Sequence, residues 1–424
     1  MAHVPVRADV MVVLFFNNIK LISRGNSPTF LNFRKLNFIS NVIDFKIIIG
    51  LGLLISCTEK TNNLSEDTYS LHVIESISVP IDEGTRTQTD AIFPFKQDDN
   101  SYFAFLNANE NSILIYSLDS LKLVHKVVLQ AEGDQGVGYA KGFMMSSMDS
   151  IYITPKMNRT IFVVNQVRDI IEKIPYKRTK SNEEIEMAFY SRSDINTPLI
   201  RIGSKIYLTN YLFGNYTARS ASDLANHPVC IELDVKSNEA NFLPMKFMND
   251  YWKNSNYYEP SYARIFNGDH FVYLWRYYDK LRVTKDHNTV AEYPLQSRYF
   301  KSFGKMPPPA DVDSNLRDLL ASPGYFNIVW DAYRQVYYVL AFHGIEVESG
   351  MNLMDAWRDL SPFSIIVLDK NFSILGETLM PANYYYIENF FVSDKGLYLS
   401  KANPKNPAYS DESLAFDIFS LVKN

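Results

Sequence analysis

The chain has 424 residues, of which 46% are hydrophobic and 14% are aromatic, a composition typical of a folded globular protein. Its formal net charge is −5, and because residues 1–56 carry six basic and two acidic side chains, the remainder has a net charge of −9. This acidic balance argues against a nucleic-acid partner. The two cysteines, Cys57 and Cys230, are too few for a disulfide framework.

The first predicted element is a signal sequence that ends at a lipid-attachment site. Residues 47–57 are an apolar run behind Lys46, about half the roughly twenty residues that a helix needs to span a bilayer. Residues 54–57 resemble the bacterial lipobox, in which the chain is cut before a cysteine that then carries lipid, including an acyl chain such as palmitate. The sequence therefore predicts a signal peptide over residues 1–56 and lipid attachment at Cys57.

The same segment has a second interpretation, as a buried strand or an uncleaved anchor with an incidental cysteine. The stretch before about residue 40 is longer than a signal requires, so the internal Met11 offers an alternative translation start. Residues 57–68 are polar and aperiodic, which predicts a flexible tether before a folded domain at 69–424. We expect a protein of the bacterial cell envelope, held by its lipid on the periplasmic or surface face of the outer membrane.

A repeated hairpin organises the rest of the chain. An apolar strand, a tight polar turn and a second strand with a central aromatic residue occur six times. The aromatic residues are 49 to 66 positions apart, a period that suits a four-stranded propeller blade with long loops. They are Phe103, Tyr152, Tyr207, Tyr273, Tyr338 and Tyr398.

The last repeat is one strand short, and residues 71–79 can supply the missing strand. The sequence thus predicts an all-β, six-bladed β-propeller with four-stranded blades, its ring closed by pairing of the N- and C-terminal strands. A β-sandwich or two smaller β-domains is the alternative fold.

A lipobox followed by six aromatic-rich hairpin units resembles the uncharacterised six-bladed propeller lipoproteins of the Bacteroidota. The resemblance covers most of residues 57–424 and implies the propeller and the lipid anchor. It implies no reaction, because no diagnostic catalytic motif accompanies it. Acidic residues after the lipid-bearing cysteine favour surface exposure in such organisms, and here only Glu59, before Lys60, fits that tendency.

Loop length predicts which face of the propeller carries function. The links between the first and second and between the third and fourth strands emerge together on one face, and here they are short turns. The opposite face receives the long segments 130–142, 177–198, 211–228, 246–262, 296–325, 343–362 and 401–414. Long loops on a rigid scaffold usually hold binding residues. Two of these segments predict short helices, at 314–320 and 352–360. These helices either form a lid or a partner groove, or simply pack onto the propeller.

Two groups of residues are predicted to bind a ligand. Tyr258, Tyr385 and Glu388 belong to aromatic clusters on the long-segment face, which suit a glycan, peptide or protein ligand or, alternatively, packing between loops. The second group interrupts the apolar first strands that line the axis, where polar side chains either meet a ligand or satisfy backbone groups. Its members are Arg201, Arg264, Asn327 and Asn389.

Catalytic and metal motifs are weak. The glycine-rich stretch 133–138 lacks the Lys-Ser/Thr pair of a phosphate loop, and residues 311–322 lack the glycine and final glutamate of a calcium loop. Cys230 lies in a strand-like run and is interpreted as a buried residue rather than a nucleophile. The sequence therefore predicts neither a cofactor nor a metal site. It supports a lipid-anchored binding or sensory module for a glycan, peptide or envelope partner, or alternatively a hydrolase, lactonase or lyase with a site at the axial mouth.

Overall fold

The computed structural model describes residues 68–89, 91–156, 158–185, 193–212, 218–248, 251–252, 259–304 and 311–424. Its strands form six antiparallel four-stranded sheets. Five of these sheets consist of consecutive strands, and the sixth combines three consecutive strands with the first strand of the domain. Strand β1 (Tyr69–Pro80) comes first in the chain and belongs to the last blade. Within the described residues, no helix is both long and apolar enough to cross a membrane.

The first three blades follow one another along the chain. Blade 1 contains β2 (Ile92–Gln97), β3 (Asn100–Asn107), β4 (Ser112–Ser117) and β5 (Lys122–Val128). Blade 2 contains β6 (Ala140–Ser147), β7 (Ser150–Pro155), β8 (Thr160–Val164) and β9 (Ile170–Pro175). Blade 3 contains β10 (Ile200–Ile202), β11 (Lys205–Thr209), β12 (Cys230–Asp234) and β13 (Glu239–Phe242).

The other three blades complete the ring. Blade 4 contains β14 (Tyr262–Phe266), β15 (Phe271–Trp275), β16 (Lys280–Thr284) and β17 (Ala291–Pro294). Blade 5 contains β18 (Gly324–Asp331), β19 (Val336–Phe342), β20 (Phe363–Asp369) and β21 (Ile374–Leu379). Blade 6 contains β22 (Phe390–Val392), β23 (Leu397–Ser400), β24 (Ser413–Lys423) and β1.

Burial explains why these sequences form propeller strands. Every residue of β4 and β19 is buried, because middle strands are covered on both faces by neighbouring blades. The fourth strand β5 instead alternates between exposed and more buried positions, as expected for a half-covered strand. All six predicted aromatic residues lie on second strands and are at most 9% exposed. The repeat analysis is therefore confirmed.

The ring closes by pairing the two ends of the folded domain. Strand β1 is antiparallel to β24 from the Tyr69–Lys423 pair to the Pro80–Ser413 pair, which confirms the predicted closure. Across the closing interface, Phe103 of blade 1 stacks on a ring of blade 6, Phe391, with ring centroids 5.3 Å apart. Hydrogen bonds along β1 and aromatic packing between blades thus stabilise the closed ring together.

The propeller has two different faces. One surface carries the short links, and we call it the turn face; the opposite surface is the loop face. The short links include 98–99, 203–204, 332–335 and 393–396. The loop face carries the described parts of the long links 129–139, 176–199, 210–229, 243–261, 295–323, 343–362 and 401–412, as the sequence predicts.

Three helices of the loop face lie wholly within the described residues. They are α1 (Ala221–Asn226), α2 (Val312–Ala321) and α3 (Leu353–Asp359). The last two confirm the predicted helices. The sequence analysis missed α1, which is only six residues long and begins with a capping box between Ser220 and Asp223 instead of showing an apolar period.

The apolar stripes of α2 and α3 pack onto the propeller. Leu316 and Leu320 of α2 and Leu353 of α3 are buried in the same core cluster as blades 5 and 6. The Arg276 guanidinium lies 5.5 Å from the Trp357 ring centroid of α3, at the distance of a cation–π contact. The stripes therefore pack onto the propeller.

Candidate functional site

An apolar cavity of about 440 Å³ lies at the centre of the ring. First strands β2, β18 and β22 line it, together with Ile265 of β14 and with Ile195 and Pro198, which precede β10. Its volume falls within the range of about 300 to 1,000 Å³ that is usual for small-molecule sites. We call it the axial cavity.

The axial cavity opens on the turn face. Lys96, Tyr333 and Ser393 line its outer part, next to the short links of blades 1, 5 and 6, and Tyr333 is 51% exposed. At the opposite end, Ile195 is 9% exposed and Ile328 is fully buried. The accessible side is thus the face with short turns, opposite to the face that loop length favours.

A short segment, residues 193–199, closes the loop-face end of the axis, and we call it the axial segment. The Phe143 amide of blade 2 donates to the Ser193 carbonyl oxygen over 3.1 Å. The Arg264 amide of blade 4 donates to the Asn196 carbonyl oxygen over 2.8 Å. Backbone bonds to two blades therefore hold this segment against the channel.

Close approach of the backbone explains a glycine in the first strand of blade 2. A Cβ atom at Gly142 would collide with the carbonyl oxygen of Ser193 in the axial segment. Only a residue without a side chain lets the segment approach the strand so closely.

Two asparagines predicted to line the channel are fully buried and hold connecting segments. The side-chain amide of Asn327 donates to the side-chain oxygen of Asn196 over 2.5 Å. Asn389 donates to the Thr87 carbonyl oxygen over 2.8 Å and accepts from the Thr89 amide over 3.1 Å. Both side chains thus form hydrogen bonds with polar groups of the protein itself.

Arg264 is also fully buried, between blades 3 and 4. Its Nη2 donates to the carbonyl oxygens of Pro198 and Tyr207 over 2.9 and 3.2 Å, and its Nη1 lies 3.3 Å from the Cys230 sulfur. Burial raises the pKa of the Cys230 thiol. The cysteine is free and buried, as expected, and the arginine joins the axial segment to blade 3.

Arg201, the other predicted arginine, is exposed on β10. Its guanidinium lies 5.4 Å from the Tyr152 ring centroid, and its Nε donates to the Gly203 carbonyl oxygen over 3.1 Å. It contacts blade 2 at the turn face and does not belong to the described lining of the axial cavity.

The predicted residues of the loop face are dispersed. Tyr385 is 2% exposed and its hydroxyl donates to Asp417 over 2.7 Å, so it packs inside blade 6. Glu388 is half-buried and accepts from the Tyr386 hydroxyl over 2.6 Å. Tyr258 and Cys57 lie outside the described residues.

A polar cluster at the edge of blade 5 was not predicted. The Ser364 hydroxyl donates to Glu377 over 2.5 Å, and His343 Nε2 lies 2.8 Å from the same hydroxyl oxygen. Because the serine already donates to the carboxylate, the imidazole must donate to the serine. An activated serine needs the opposite arrangement, with the imidazole accepting its proton. Burial lowers the pKa of His343 to about 4.

Lys96 provides the charge at the mouth of the axial cavity and was not predicted either. It is the charged residue in the described lining, and its Nζ lies 3.0 Å from Asp394 and 5.2 Å from the Tyr333 ring centroid. The hydrogen bond raises the pKa of Lys96 and lowers that of Asp394. Short-turn residues of three blades thus meet at one rim, and no sequence signal links them.

In the described ranges, no group of three or more His, Cys, Asp or Glu side chains is arranged to hold a metal ion.

Comparison with known proteins identifies the fold and the family. A crystal structure of a DUF4221 protein from Bacteroides vulgatus has a TM-score of 0.76 and 21% sequence identity, covering 84% of this chain and 99% of that one. A putative exported protein from Bacteroides fragilis has a TM-score of 0.49 and 8% identity, covering 84% and 95%. The sequence has no match among curated proteins.

A family model described as a domain of unknown function, DUF4221, matches residues 62–379. The match begins just before β1 and extends to the end of β21, so it includes blades 1 to 5. The chain therefore belongs to the DUF4221 family.

Proposed function

We propose that this protein is a lipid-anchored binding or sensory module of the bacterial cell envelope, and that it takes an apolar group of its ligand into the axial cavity. The observation that carries the proposal is the cavity itself, with about 440 Å³ of space between apolar first strands. A glycan, peptide or envelope partner that bears such a group fits this role.

The chemistry of the wall supports binding. The lining includes the apolar residues Ile92, Ile265, Ile328 and Phe390, and Trp330 adds a large ring near the mouth. Transfer of apolar ligand surface into such a site contributes about 25 cal/mol for each Å² removed from water. Because first strands and the axial segment are fixed by hydrogen bonds, the cavity needs little reorganisation to accept a ligand.

Filling the mouth should weaken binding. We expect Ala332→Trp to place an indole over the opening, since Ala332 is an exposed turn residue in the cavity lining. The probe is 1-anilinonaphthalene-8-sulfonate, whose fluorescence rises in an apolar site. The affinity of the purified protein for this probe should fall at least about tenfold, or about 1.4 kcal/mol.

The matched control is Ala408→Trp, since Ala408 is also an exposed alanine but lies on the loop face. This variant should bind the probe as the wild type does, with the same unfolding temperature for all three proteins. Equal binding by wild type and Ala332→Trp, or selective loss in Ala408→Trp, would show that the axial cavity is the wrong site.

The lipid anchor is tested separately. We expect Cys57→Ala to abolish incorporation of radiolabelled palmitate and to move the protein from the membrane fraction, because the thiol of Cys57 is the proposed attachment point. Cys230→Ala serves as the control, since Cys230 is buried and its replacement should leave labelling intact. Labelling that survives Cys57→Ala would refute the anchor.

A further inference from the structure

The axial cavity combines an apolar interior with Lys96, the charged residue of its described lining, at its mouth, and it opens on the face where the chain enters the domain. From this arrangement we infer that its ligand is a long-chain fatty carboxylate drawn from the membrane, with the acyl chain along the axis and the carboxylate on Lys96. This inference rests on the proposed binding function and names its ligand class.

The polarity of the cavity matches such a ligand from end to end. Ile92, Ile195 and Ile328 surround the inner end, where an acyl chain loses contact with water. Lys96 and Ser393 lie at the outer end, beside the exposed ring of Tyr333. A carboxylate placed there accepts a charge-assisted hydrogen bond while its alkyl chain fills the apolar part.

Lys96 can exchange its present partner at small cost. Its side chain is 45% exposed and that of Asp394 is 50% exposed, so their ion pair is largely solvated. Pairs of this kind contribute little to stability. Asp394 also keeps another partner, because its carboxylate accepts from the Lys395 amide over 3.0 Å.

The chain enters the domain on the same face as the cavity mouth. Tyr69 pairs with Lys423 at the turn-face end of blade 6, and the Thr68 amide donates to the Leu375 carbonyl oxygen at the start of β21. Both ends of the domain therefore lie on the turn face. From a lipid on Cys57, eleven residues (58–68) lead to this face.

The test is quenching of tryptophan fluorescence in the full chain by 12-bromododecanoate. Trp330 lines the cavity, so contact with the brominated chain should quench it saturably. Trp330→Phe should remove most of this quenching. Trp357→Phe is the control, because Trp357 belongs to α3 on the loop face.

The role of the charge is tested with a neutral analogue. Lys96→Met should weaken binding of 12-bromododecanoate about fivefold, since an exposed ion pair is lost, and should leave binding of 12-bromododecanol unchanged. Lys395→Met, a lysine of similar exposure on the same face, should change neither. Equal affinity of the wild type for acid and alcohol would overturn the assignment of Lys96.

The outcomes separate this inference from the proposed function. If the anilinonaphthalene probe binds in the cavity and neither brominated compound quenches Trp330, the fatty-carboxylate inference is wrong and the binding function stands. If the probe does not bind the wild type either, the proposed function itself fails.

Discussion

Arg264→Met should lower the free energy of unfolding by about 2 to 4 kcal/mol, because it leaves buried hydrogen-bond acceptors without a donor. The guanidinium is fully buried and donates to the carbonyl oxygens of Pro198 and Tyr207. Methionine fills part of the volume of the side chain but donates to neither oxygen. Urea unfolding at neutral pH measures the loss.

Arg201→Met is the matched control, since both arginines interrupt an apolar first strand and only Arg264 is buried. Arg201 is exposed and stacks on Tyr152, so its replacement should cost less than about 1 kcal/mol. If Arg264→Met unfolds at the same urea concentration as the wild type while losing binding of the anilinonaphthalene probe, Arg264 has a ligand role and our structural assignment is wrong.

Stability should fall as the pH is lowered from about 6.5 to about 4, and His287 should cause much of this fall. The His287 side chain is 2% exposed, its Nε2 lies 2.9 Å from the Tyr273 hydroxyl, and burial lowers its pKa to about 4. In the unfolded chain its pKa is about 6.5, so the unfolded state takes up the proton first. Between pH 7.5 and 4.5 this linkage removes about 2 to 3 kcal/mol.

His287→Asn isolates this contribution. Residue 287 has a φ of 63°, a left-handed conformation that asparagine tolerates better than most residues. The variant should be less stable than the wild type at pH 7.5 and should lose about 2 to 3 kcal/mol less on going to pH 4.5. Parallel losses in the two proteins, measured by urea unfolding at both pH values, would exclude His287 as the source.

The propeller could be predicted because its information is local and repeated. Each aromatic residue, such as Tyr273 or Tyr338, marks a second strand that is buried between blades, so the same short pattern recurs with the same physical cause. The missing strand of the last unit followed from the need to cover an exposed edge. Strand β1 fulfils that need by pairing with β24.

The site could not be predicted in the same way, because its residues meet only through ring geometry. Loop length pointed to the loop face, yet the axial segment closes the axis there and the cavity opens among short turns. Lys96, Tyr333 and Asp394 are far apart in the chain and come together at the rim between blades 1, 5 and 6.

By itself, the sequence determined the number of blades, the closure of the ring and the two loop-face helices, since strand alternation, helix period and repeat spacing are properties of neighbouring residues. It also marked Arg264, Asn327 and Asn389 as unusual polar residues in apolar strands. Only the tertiary structure decided their role, because whether a buried polar group faces a ligand or a backbone carbonyl depends on segments distant in the chain. The face on which the cavity opens was decided in the same way, by the path of the axial segment across the ring.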